Sequence, residues 1–147
     1  MSGSQSAIQL VHEKVRKVAE EFREKRMREA LRKARSFREY LQYRVNYLAW
    51  DVCSKLGIVG SRMLDYQAFA KKVVYDWYNA HVEYTVNPEL VNIDDIFDYY
   101  EKYWAIPRGL DPNVVRELEL AILDFIQNID KIKEDFEKLR RELGKEV

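Results

Sequence analysis

The chain has 147 residues, 47% hydrophobic and 34% charged, enough for one domain with a core of its own. Its 25 Lys and Arg balance 25 Asp and Glu, and a single cysteine, Cys53, excludes an intrachain disulfide. No apolar run approaches the roughly 20 residues that span a bilayer, and the polar start MSGSQSA reads as having no signal peptide, so a soluble protein is expected.

The neutrality hides a polarity. Residues 1–50 carry twelve basic and six acidic groups, whereas residues 51–147 carry thirteen and nineteen. A chain built this way can hold a polyanion at one end without the other end adhering to it, and the basic part of one copy can meet the acidic part of the next.

Only five Gly and three Pro occur, none between Ile8 and Leu56, and nearly every apolar spacing is three or four. The pattern predicts an all-α protein. The first helix is expected from Ser6, with Gln9 as capping-box partner and Val11, Val15, Val18 and Phe22 as a narrow apolar seam. Beyond Phe22 the seam dissolves into Lys and Arg, leaving no apolar face to dock. Ser36 with Glu39 predicts a break near Arg35. A second segment, apolar through Leu41, Val45, Leu48 and Val52, ends at Gly57 as C-cap.

A third helix is expected from Arg62 to Val82, capped by Ser61, burying Tyr66, Phe69, Ala70, Val73, Trp77, Ala80 and Tyr84. Asn87-Pro88 breaks the pattern. A fourth, Ile93 to about Ala105, buries Ile96, Phe97, Tyr100 and Trp104, and IPRGLDPN reads as a loop. Asp111-Pro112 is a strong restart. From Val115 to Leu143 apolar residues then alternate by three and four, predicting one helix that ends at Gly144. Such a seam needs a partner along its length, in its own bundle or in another chain.

Residues 21–44 gather nine Lys or Arg and four Glu. A helix from Ala7 to Arg35 is roughly 43 Å long. On a wheel, Lys25, Arg28, Arg32 and Arg35 share one side while Arg23, Arg26 and Lys33 sit opposite, which suits a projecting rod with polyanion around it. The competing reading is a solvated face held by pairs such as Glu24–Arg28 and Glu29–Lys33. Catalytic and metal signatures are missing. His12 and His81 belong to no ligand-spaced cluster, Cys53 reads as structural, and Asp94, Asp95 and Asp98 complement a helix N-terminus. There is no phosphate-binding loop, dinucleotide fingerprint or nucleophile elbow, so neither an enzyme nor a cofactor is expected. Most of the ten Tyr and three Trp fall on core stripes; Tyr40, Tyr43 and Tyr47 border the basic run and stay open as base-stacking groups.

The stretch LGIVGSRMLDYQAFAKKVVYDW, Leu56 to Trp77, resembles the major coat proteins of rod-shaped and filamentous viruses of hyperthermophilic archaea, the rudivirus, lipothrixvirus and tristromavirus group. The matching features are Gly57 and Gly60, Tyr66-Gln67, the aromatic at Phe69, and Lys72-Val73. The match spans about 20 residues strongly and the rest in helical layout. The resemblance implies a basic N-terminal helical arm, residues 1–56, and an acidic C-terminal helical bundle, residues 57–147, meeting at Gly57 and Gly60. It implies arms that wrap linear double-stranded DNA, held in A-form and without sequence choice, inside a virion made in the host cytoplasm. Subunits would pair with themselves or with a paralogous second coat protein, and dimers would stack into a helical filament, with a lipid envelope outside in some members. This arm has no Pro, unlike some relatives, and the Ser36 break would supply its turn.

The residues suit that role. Arg23, Lys25, Arg26, Arg28, Arg32, Lys33, Arg35, Arg38 and Arg44 are the candidates for neutralising phosphates, contacts that position without reading sequence. About four phosphates per subunit give a salt slope near −3.6 and a roughly 150-fold loss of affinity between 50 and 200 mM salt, so lateral contacts must make binding cooperative. Two other readings are a cellular chromatin-type protein, bound as dispersed dimers, and a helical interaction module whose arm meets an acidic protein.

Overall fold

The computed structural model describes residues 3–83 and 92–145, and among them there is no strand. Six α-helices follow in order: α1 (Gly3–Lys33), α2 (Phe37–Lys55), α3 (Ser61–Tyr78), α4 (Ile93–Tyr100), α5 (Pro112–Gln127) and α6 (Ile129–Lys145). π-helical turns extend α3 over Asn79–Glu83 and α4 over Glu101–Ala105. The all-α class read from the spacing is the class observed.

Local chemistry sets most of the breaks. Between α1 and α2 the Ser36 hydroxyl accepts from the Glu39 N–H at 3.4 Å, a long contact, while the Glu39 carboxylate accepts from the Arg35 N–H at 2.6 Å. The capping signature therefore breaks the chain where the sequence places it. After α2, Gly57 takes φ 78°, its N–H donates to the Ser54 carbonyl at 3.2 Å, and the Ile58 N–H reaches Cys53 at 2.9 Å. These two bonds form a Schellman motif, with Gly57 in the left-handed position. Asp111 caps α5 through its carboxylate and the Asn113 N–H at 2.9 Å, with Pro112 in the first turn.

Several expected boundaries move. Helix α1 begins at Gly3, ahead of Ser6. Ser61 is helical and does not cap; Gly60 holds the N-cap position at φ 75°, ψ −147°, a conformation open to glycine. A Cβ at Gly60 would meet nothing within 4 Å, so the requirement is the positive φ and not close approach. Tyr84 and the Asn87-Pro88 break lie outside the described residues. Residues 106–109 are a turn and not an open loop: Gly109, at φ 67°, donates to Ile106 while Leu110 donates to Ala105, a second Schellman closure. The single long helix expected beyond Asp111 divides at Asn128, whose side-chain amide donates to the Asp124 carbonyl at 2.9 Å. That bond competes with the ladder. Gly144 lies within α6.

The described residues group into two compact units, Met1–Tyr40 with Phe136–Val147, and Leu41–Asp135. These limits differ from the 56/57 boundary read from the sequence, because compactness follows contact whereas that boundary follows charge and the glycine turn. In the first unit the buried apolar residues are Ala30, Leu31, Ala34, Phe37, Tyr40 and Phe136. Phe136 stacks on Tyr40 at 5.0 Å and meets Phe37 at 5.6 Å between centroids. In the second unit α3 packs against α4 and α5. Tyr66, Phe69 and Val73 of the expected α3 stripe are fully enclosed, whereas Trp77 and Ala80 are half-buried and Val74 and Tyr78 are buried beside the stripe. Tyr100 and Trp104 are likewise half-buried. Leu118, Ile122 and Phe125 carry the α5 side. The Tyr66 hydroxyl accepts from the Asp111 N–H at 2.9 Å, tying the start of α5 to α3.

Gly57 supplies a direct test of the turn. Nothing lies within 4 Å of a Cβ there, so substitution should cost conformational strain alone. Gly57→Val is expected to lower the stability of the unit by about 1–2 kcal/mol, and Gly57→Asn by less, since Asn tolerates the left-handed region. Urea denaturation of both variants measures the difference, and equal stability of Val and Gly would show that the turn does not depend on φ.

Candidate nucleic-acid interface

The basic segment is not bare of apolar groups. Ala30, Leu31 and Ala34 are buried and Met27 is half-buried. At about 100° per residue these four share one side of α1. The expectation that the basic half has no face to dock is therefore corrected: small and aliphatic side chains at three- and four-residue spacing seat it in the first unit.

Docking on that side sorts the cations. Lys25, Arg26, Arg28, Arg32 and Lys33 are exposed and fall in an arc of about 160° opposite the buried face. Arg23 falls on the buried side itself, half-buried, and its Nε donates to the Ala19 carbonyl at 3.1 Å. The arrangement is a one-sided basic face, not a rod charged all round. Residues 25–33 span roughly 12 Å of helix axis, over which a duplex presents about seven phosphate charges. Five cations and Glu29 lie on that length.

The other candidates lie elsewhere. Arg35 is exposed in the break after α1, its N–H held by Glu39. Arg38 and Arg44 on α2 are half-buried. Arg44 lines a cleft of about 470 Å³ formed by α2, α5 and α6, where Asp51, Asp124, Asp135 and Lys131 also stand around Leu48, Phe125 and Ile132. Three carboxylates beside it make that cleft a poor phosphate site. Of the tyrosines open to base stacking, Tyr40 belongs to the core against Phe136, and Tyr47 leans on Trp50 at 6.3 Å. Tyr43 remains exposed. Gly57 and Gly60 hold the turn between α2 and α3. His81 stacks on Trp77 at 5.4 Å, and burial pushes the Cys53 thiol up, away from the reactive thiolate.

The acidic side holds an arrangement that the helix pattern did not indicate. Glu119 on α5 is half-buried and raised to about 8, first by burial, then by a hydrogen bond with Glu101 and by the charges of Glu101, Asp98 and Asp94. Nearby, burial and a hydrogen bond to the Asp76 carboxylate hold the Tyr100 hydroxyl protonated. Asp94 and Asp95 do sit in the first turn of α4, where Asn92 accepts from the Asp94 N–H at 3.0 Å. Sequence spacing could not reveal the Glu101–Glu119 encounter, because it joins two helices. Among the described residues no group of three His, Cys, Asp or Glu is placed to hold a metal, and no helix is long and apolar enough to cross a membrane.

The raised Glu119 has a signed consequence. The folded chain holds a proton there that the unfolded chain releases near 4.5, so stability is lost as pH rises from about 4.5 to about 8. Glu119→Gln should leave stability nearly unchanged at pH 4 and raise it at pH 8.5. Thermal melts at both values check this, and a loss at pH 8.5 would contradict it.

Comparison with known protein families, with curated proteins and with solved structures finds no match to this chain.

Proposed function

We propose that the chain is a structural, non-catalytic protein that coats double-stranded DNA without sequence choice through the solvent side of α1. The observation that carries the reading is the arc of Lys25, Arg26, Arg28, Arg32 and Lys33 opposite a docked apolar face. Guanidinium and ammonium groups spread over one helix side make contacts to phosphates and none that discriminates bases in a fixed register. Interleaved Glu29 limits the net charge on residues 25–33 to +4, in keeping with about four phosphates per copy. Binding of that strength needs many copies in contact. The coat-protein resemblance of Leu56 to Trp77 supports the same picture: a basic arm over residues 1–56, an acidic bundle over 57–147, and dimers in a helical filament around the duplex as a virion.

Two measurements test it. Lys25→Gln, Arg28→Gln and Arg32→Gln together should reduce the salt slope of DNA binding from about −3.6 to about −0.9. The bundle's melting temperature should hardly move, since all three positions are exposed. An unchanged slope sinks the assignment of this face. Electron micrographs with and without DNA separate a regular filament from dispersed dimers and from a chain that ignores DNA.

A further inference from the structure

Trp104 lies where two cations meet without a counter-ion. The Lys72 ammonium, from α3, is 4.5 Å from the centre of its ring, and the Arg108 guanidinium, from the turn after α4, is 3.2 Å from it. The indole N–H is sealed from solvent and finds no acceptor. A buried donor left in this way costs free energy, and it marks a place where an acceptor belongs. Among the described residues no carboxylate pairs with either cation. Asp76, one helical turn on from Lys72, is engaged by the Tyr100 hydroxyl, and Arg108 spends one amino group on the Trp104 carbonyl, at 3.3 Å. The chain past Asp51 is acidic overall, so two unpaired cations on one indole run against their surroundings.

We infer that Lys72, Arg108 and the Trp104 N–H form a site for a small phosphate dianion, either inorganic phosphate or a phosphomonoester. Both cations lie on one ring, so they stand at most about 8 Å apart, and a phosphorus bridging two such groups sits roughly 4 Å from each. The guanidinium offers a planar fork and the ammonium a compact charge, and both suit phosphate oxygens. Near pH 7 a phosphomonoester carries about −1.5 to −2, which two cations neutralise, whereas a carboxylate leaves one of them unanswered. Both side chains are long enough to swing from the ring face to its edge, which uncovers the N–H as a third donor. The surroundings limit the size of the ligand. Asp76, Asp98 and Glu101 lie within two helical turns of these groups along α3 and α4, a field that repels a long polyanion while two contact charges hold a compact one.

The site belongs to the second unit and does not rest on the DNA reading of α1. In proton NMR spectra of the full chain, at ionic strength held constant with chloride, inorganic phosphate should move the Trp104 indole signal saturably while those of Trp50 and Trp77 stay in place. Trp104→Phe assigns the signal. A parallel titration with glycerol phosphate separates the two sources, the tighter ligand naming the one the site is built for. Arg108→Gln, at an exposed position, should weaken phosphate binding roughly tenfold, and Lys72→Gln should do the same. The absence of a saturable shift overturns the inference, as do equal shifts of all three indoles, equal binding of acetate, or unchanged binding in either variant. A duplex oligonucleotide that displaces phosphate from Trp104 would assign these cations to DNA and overturn it as well.

Discussion

The rigidity of one helix governs what this chain can do. An α-helix turns a fixed 100° or so per residue, so the side on which each residue stands is settled once the helix forms. In α1 the apolar residues change sides between Phe22 and Met27, and only the second set is buried. No bend compensates, since α1 runs unbroken from Gly3 to Lys33. A single body cannot satisfy both faces. The first unit takes the face of Ala30, Leu31 and Ala34, and the cations opposite them are thereby held outward.

The anchoring group is modest. Phe136, brought from near the other end of the chain, contacts Phe37 and Tyr40, and Arg140 lies over its ring at 5.6 Å. Aromatic pairs of this kind contribute about 0.5–1.5 kcal/mol beyond their buried area. The second unit, taken by itself, has the larger apolar interior. Burial is thus uneven along the chain: dense through α3 to α5, sparse at the first unit, and nearly nil on the N-terminal half of α1.

Electrostatics follows the same division. Exposed cations on α1 stand well solvated, while on the acidic side α4 and α5 bring Glu101 and Glu119 together under the charges of Asp94 and Asp98. Burial, followed by those neighbouring carboxyls, favours the protonated form of Glu119. Like charges in a half-buried setting resolve their repulsion by holding the proton, and the cost appears as pH-dependent stability, not as a ligand site.

Much of the backbone was legible in the residues themselves. Ser36 with Glu39, Gly57 and Asp111-Pro112 act over three or four residues, and such signals work wherever the chain goes. The helical class and the core positions Tyr66, Phe69, Val73, Leu118 and Ile122 follow from spacing for the same reason. The split at Asn128 was not legible, because a local bond there competes with a pattern that reads as continuous; the closure at Gly109 and the cap at Gly60 were not, because they rest on backbone conformations that residue type leaves open. Charge told where the cations gather. Only the tertiary structure decided which way they face, since that depends on which of two apolar stripes the fold covers, and this is not a property of neighbouring residues.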